Sequence, residues 1–165
     1  MSKARRVALL SCFTAAAVIF SYVEFLLPVP IIPIAHFKLG FSNIAILTVL
    51  YLFSAKDAFS VMAARTILNS IFFSGIIPMA MSLSGGILSL IVMSFLHKTH
   101  KFSIIGVSVA GATAHNIGQC IAAAVIVQTV SIIAYLPILM IMSLVCGVLI
   151  GVASGFILKV FKRSE

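Results

Sequence analysis

Six apolar stretches, each near the length needed to cross a bilayer, make up almost the whole chain, and very little charge lies inside them. A hydrocarbon core about 30 Å thick takes about 20 helical residues to span. The stretches run from Val7 to Leu27, Lys38 to Ser54, Ala58 to Ser74, Ile77 to Leu96, Ser103 to Thr129 and Tyr135 to Phe161. The breaks between them are chemical. Pro28, Pro30 and Pro33 remove backbone donors after the first stretch, Lys56-Asp57 ends the second, Gly75 and Pro78 mark the end of the third, and His97 to Lys101 closes the fourth. The second stretch is short for a full crossing, so it is either steeply upright or partly unwound.

This pattern predicts an all-α integral membrane protein, a compact bundle of six transmembrane helices forming one domain over residues 1–165. Composition agrees: 62% of residues are hydrophobic and 8% are charged, against about 25% charged in soluble domains. A basic start followed by an apolar run can be a cleavable signal. Here no small-x-small site follows Phe20, so a retained first span is expected. The two halves carry no matching interrupted helices, which argues against an inverted repeat.

A net charge of +8 would suggest nucleic acid if the basic residues formed a stripe with interleaved aromatics. They do not. With six crossings and the N-terminus inside, the inner loops hold Lys3, Arg5, Arg6, Lys56, Lys98, Lys101, Lys159, Lys162 and Arg163, whereas the outer side holds Lys38. That asymmetry places both termini in the cytoplasm of a multi-pass cell-membrane protein and gives no nucleic-acid partner.

Ionisable and amide groups inside a bilayer are costly and mark function or a partnered structural contact. Counted at about 1.5 Å per residue from the inner surface, Glu24, Asn43, Arg65, Asn69, Ser84 with Gly85, and His115, Asn116 and Gln119 fall at the midplane or in the outer half of five spans, with Lys38 at the mouth. Arg65 and Asn69 are four apart, as are His115 and Gln119, so each pair shares one helix face. The convergence points to an outward-facing cavity for a small polar or anionic ligand. Three alternatives stay open: Arg65 pairs with Glu24, Gly85 and Gly86 serve helix packing, and His115 holds a structural hydrogen bond.

Ala4, Ala8, Cys12 and Ala16 form a ridge of small side chains suited either to docking on another membrane subunit or to packing in the bundle itself. Gly147, Gly151 and Gly155 form a second ridge with the same two readings. The three cysteines show neither C-x-x-C nor zinc spacing, and no cofactor or metal site is expected. The acids are Glu24, Asp57 and Glu165, and with a single aspartate the chain cannot alone build the aspartate-rich magnesium site that holds a diphosphate. It also lacks the phosphate-binding loop of an ATPase, so active transport would draw energy from a partner or an ion gradient.

Four motifs, His36-Phe37-Lys38-Leu39-Gly40-Phe41-Ser42-Asn43, Arg65 with Asn69, Ser82-Leu83-Ser84-Gly85-Gly86, and Gly111 to Gln119 (GATAHNIGQ), carry a resemblance over nearly the whole chain. The sequence resembles the Gx transporter family, also named heptaprenyl diphosphate synthase component I, which is similar to the substrate-binding S components of energy-coupling-factor (ECF) transporters. The resemblance implies a non-enzymatic capture subunit that takes a vitamin-like molecule from outside and docks through its first helix on an ECF-type membrane subunit with cytoplasmic ATPases. Two other functions stand beside it. One is an accessory or scaffold subunit for prenyl diphosphate synthesis or a redox-cofactor assembly; the other is an autonomous proton-coupled carrier titrating Glu24.

Overall fold

The structure, a computed structural model, describes residues 3–26 and 40–163. These residues form six α-helices and no strand: α1 (Lys3–Leu26), α2 (Asn43–Leu52), α3 (Ala55–Asn69), α4 (Ile76–Thr99), α5 (Ile104–Val127) and α6 (Leu136–Arg163). A five-residue π turn, Ser70–Ser74, continues α3, and a 3-10 turn, Val130–Tyr135, leads into α6. Four helical segments are long and apolar enough to cross a membrane: α1, α4, α5, and α6 together with the turn before it.

Local chemistry explains where the helices begin and end. Ser54 accepts from the Asp57 backbone N–H at 3.3 Å and Ser103 from that of Gly106 at 3.1 Å, each satisfying a donor that a helix start leaves open. His100 and Gln128 take left-handed conformations (φ 55° and 52°) that stop α4 and α5.

Two stretches fall short of a full crossing, the third (α3, 15 residues) and, by more, the second. The helix of the second starts only at Asn43 and lasts ten residues, about 15 Å. Every residue from Asn43 to Leu50 is buried. Ile44, Ile46, Leu47, Val49 and Leu50 pack with Val61 and Met62 of α3, Leu90 and Met93 of α4, Val107 of α5, and Cys146 and Ile150 of α6. The bundle is thus built around a short central helix, and Ser154 of α6 donates to the Ile44 carbonyl at 3.2 Å. Among the described residues, Phe41 and Ser42 sit in a turn before α2, and Gly40 has φ +87°, a conformation open to glycine at little cost.

Arg6 of α1 donates to Asp57 at the start of α3 at 2.5 Å, and Ala55 and Lys98 line one surface groove. Phe161, near the end of α6, stacks on Phe13 of α1 at 5.9 Å between ring centroids. These contacts gather the basic residues at one end of the bundle, the basic end; Phe41, Gly75 and Gln128 lie toward the other.

The two small-residue ridges part company. A Cβ at Gly147 would stand 2.7 Å from Val109 Cα, and one at Gly151 2.8 Å from Ile105 Cα, so these two glycines let α6 close on α5 within the bundle. Ala4, Ala8 and Cys12 are instead exposed and Ala16 is half-buried. The residues α1 buries are Ala17, Ser21 and Glu24.

Candidate functional site

Among the described residues Arg65 is the largest side chain that the fold buries completely, at 1% exposure. It projects from the middle of α3, and three elements meet its guanidinium. Nη1 donates to Ser21 Oγ of α1 at 3.3 Å and to Ser42 Oγ, the residue that immediately precedes α2. Glu24, one turn beyond Ser21 on α1, accepts the Phe41 backbone N–H at 2.7 Å through Oε1, and its charge acts on Arg65. Nε and Nη2 of Arg65 have no hydrogen-bond partner among the described residues and no contact with solvent. Leaving a buried donor unmet costs about 1–3 kcal/mol, more on a charged group, so this edge is an energetic debt in the structure.

Asn69 stands one turn further along the same face, 3% exposed, with Oδ1 also lacking a partner among the described residues. Directly after it the helix widens into the π turn, where Gly75 N–H bonds to the Ser70 carbonyl five residues back. Such π segments are frequent at functional sites. Asn43 opens α2, is 5% exposed, and its backbone N–H bonds to the Gly40 carbonyl at 2.8 Å. The start of a helix carries a partial positive charge, so the first turn of the half-length α2 and the guanidinium together make a buried electropositive corner.

A second polar group lies between α4 and α5. His115 Nε2 and Gln119 Nε2 are 2.7 Å apart, and Gln119 Oε1 has no partner among the described residues. Which of the two donates depends on the tautomer of the imidazole ring. Both side chains lie against Gly85: a Cβ there would fall 2.6 Å from the His115 carbonyl oxygen and 2.8 Å from Gln119 Cγ. Ser84 donates to the Gly118 carbonyl at 3.0 Å, and Asn116 Nδ2 to the Leu139 carbonyl of α6 at 3.0 Å. Ser84, Gly85 and Asn116 are therefore engaged in helix-to-helix contacts. Gly86 turns the other way, toward Met62 of α3, whose Sδ would be 2.8 Å from a Cβ.

The structure brings Glu24, Asn43, Arg65 and Asn69 into one neighbourhood, and His115 and Gln119 into another, with α4 in contact with both α3 and α5. Lys38 and His36 lie outside the described residues. Sequence reasoning missed Ser21 and Ser42, the two hydroxyls that orient Arg65. A signal existed for each: Ser21 is three residues from Glu24 on one face of α1, and Ser42 immediately precedes the buried run of α2. No group of three or more His, Cys, Asp or Glu side chains among the described residues could hold a metal ion.

The family model described as heptaprenyl diphosphate synthase component I matches residues 13–157, from the middle of α1 to the last turns of α6. No curated protein and no solved structure matches the chain. The four motifs that carry the resemblance lie within the matched span, and the chain belongs to the heptaprenyl diphosphate synthase component I family.

Proposed function

We propose that the chain is a membrane substrate-binding subunit of a transporter, similar to an ECF S component, which captures a small polar or anionic micronutrient- or cofactor-like molecule. It sits in the cell membrane with both termini and the basic end in the cytoplasm, an orientation supported by the skew of Lys and Arg toward that end. The observation that carries the reading is the buried Arg65 of α3, set against Ser42 at the start of the half-length α2. Shortened helices whose N-termini face anionic substrate groups are a recurring device of membrane transport proteins. Arg65, Asn69, His115 and Gln119 hold the ligand; Asn43, Glu24 and Lys38 lie toward its entry, and Ser84, Gly85 and Asn116 support the walls. No bond is made or broken in this function, and energy comes from a separate membrane subunit with cytoplasmic ATPases. The exposure of Ala4, Ala8 and Cys12 supports docking of that subunit on α1.

The family's name favours a second reading, a non-catalytic accessory subunit for prenyl diphosphate synthesis. Mass spectrometry of small molecules that co-purify with the protein in gentle detergent separates the two. Capture predicts a stoichiometric small molecule that is lost in Arg65→Ala and His115→Ala. An accessory subunit predicts none, and retention unchanged in both variants refutes the assigned site. Transport that needs no ATPase partner and is abolished by Glu24→Gln would instead identify an autonomous proton-coupled carrier.

A further inference from the structure

The geometry points to a ligand class for this site: a small carboxylic acid with a hydrogen-bond donor beside its carboxylate, held by the Nε–Nη2 edge of Arg65 and by Asn69 Oδ1. This rests on the substrate-capture reading and adds to it the chemistry of what is captured.

A guanidinium presents five N–H groups in a rigid plane, and the pair along its Nε–Nη2 side runs parallel, matched to the two oxygens of one carboxylate. In Arg65 the remaining nitrogen, Nη1, is engaged by Ser21 and Ser42, hydroxyls from two different elements. Those contacts fix the orientation of the plane. The side that recognises a carboxylate bidentately is thereby left as the side without a partner among the described residues. A random loss of contacts would not spare one whole edge.

Asn69 supplies the second half of the specification. At i+4 on α3 it is a neighbour of Arg65 along one helix face, and its unmet atom is an acceptor. A ligand that satisfies both must accept two hydrogen bonds at one end and donate one nearby. Charge narrows the class further. Arg65 and Glu24 are opposite in sign within this buried neighbourhood, and the start of α2 adds a partial positive charge. Arg65 and Glu24 cancel and a helix start adds about half a positive charge, so a monoanion leaves the corner about half a charge negative; a phosphate dianion adds a further full charge beside Glu24, at a desolvation cost that no second cation among the described residues offsets. Nε and Nη2 have no solvent contact, so a ligand reaches them only when this corner opens.

The test uses the full chain in gentle detergent. Co-purifying molecules are identified by accurate mass with and without carboxylate-specific derivatisation. Displacement of the retained molecule is then measured with pyrrole-2-carboxylate, with its carboxamide and with inorganic phosphate. The expected results are a retained carboxylic acid, displaced by pyrrole-2-carboxylate at concentrations at which the carboxamide and phosphate have no effect. Arg65→Lys keeps a charge but loses the fork, and should weaken retention roughly 10- to 150-fold; Asn69→Leu should weaken it by roughly tenfold. Circular dichroism and gel filtration show whether each variant is folded, and if Arg65→Lys is not, Asn69→Leu and the displacement series decide. A retained molecule without a carboxylate, or one displaced as well by phosphate as by the acid, overturns this inference and leaves substrate capture standing. The absence of any retained molecule, together with no stabilisation by millimolar pyrrole-2-carboxylate, overturns both.

Discussion

Replacing Gly85 by alanine probes the contact on which the α4–α5 half of the site depends. The added Cβ would stand 2.6 Å from the His115 carbonyl oxygen, 2.8 Å from Gln119 Cγ and 3.1 Å from His115 Nδ1. The first of these is backbone, so no rotamer change removes the clash, and α5 has to move away from α4 by most of an ångström. That movement also stretches the Ser84 to Gly118 hydrogen bond beside it. Overpacking of a closed contact costs about 1–3 kcal/mol, and replacing glycine by alanine inside a helix returns up to about 1 kcal/mol. The balance is a loss of up to about 3 kcal/mol, centred near 1.5 kcal/mol, or a fall in Tm of roughly 3–6 °C at that centre for a domain of this size. Gly155→Ala is the matched control, because its Cβ would meet only Ile104 Cγ2 at an ordinary 3.8 Å. Thermal unfolding in one detergent, followed by circular dichroism and by a fluorescent thiol dye, should place Gly155→Ala at or above the parent and Gly85→Ala clearly below it. Equal midpoints for the two variants would refute the claim that Gly85 is held by contact with α5.

Two further outcomes follow from the basic end and from the thiols. Burial pushes the Asp57 carboxyl up, but hydrogen bonds from Arg6 and Ser54 and the charge of Arg6 outweigh it and hold the group below its usual carboxylate range. A depressed folded value stabilises at neutral pH and is lost as pH falls through it. Asp57→Asn should therefore lower Tm at pH 7 by no more than a few degrees, since a partly exposed ion pair contributes under about 1 kcal/mol, and the gap should close in acid; a gap that persists there contradicts the ion-pair account. Cys12 is exposed while Cys120 and Cys146 are buried, so a maleimide should label one thiol per chain in the native protein and three after denaturation. Native labelling that survives Cys12→Ala would mean the bundle opens around α5 or α6.

Most of the helix plan was legible because breaks in this chain are chemically loud. The sequence-based start at Ile77 differs by one residue from that of α4, and the start at Ser103 is the cap of α5. The 17-residue stretch ending at Ser54 could be read only as upright or partly unwound, and within its described part the helix begins only at Asn43, after a turn. Hydropathy could not settle this, since a residue before a helix and one within it can be equally apolar. Within the site, spacing of four put Arg65 with Asn69 and His115 with Gln119, because helical periodicity is local. Which helix each pair faces is not local. The contact of Gly85 with α5, and of Gly86 with α3, depends on a rotation of α4 that only packing sets. Asn116, adjacent to His115, bonds to α6 instead of lying with it. The hydroxyls on Arg65 were hardest to see, since serine is common in helices of every kind and carries no spacing of its own.

Ten residues of helix, buried from Asn43 to Leu50, also constrain how this protein comes into being. An element half as long as a bilayer is thick cannot be retained there by its own length, and isolated helices shorter than about 12–15 residues are marginal even in water. The usual order for membrane bundles, in which each span forms first and the spans then associate, does not apply to α2. It acquires its place only as α1, α3, α4 and α6 come to surround it, so helices made after the second complete its setting. Chains truncated before Cys146 and Ile150 would expose the side of α2 that those residues cover. The corner at Arg65, which takes one of its hydroxyls from the residue before α2, then waits on a helix that begins only at Leu136.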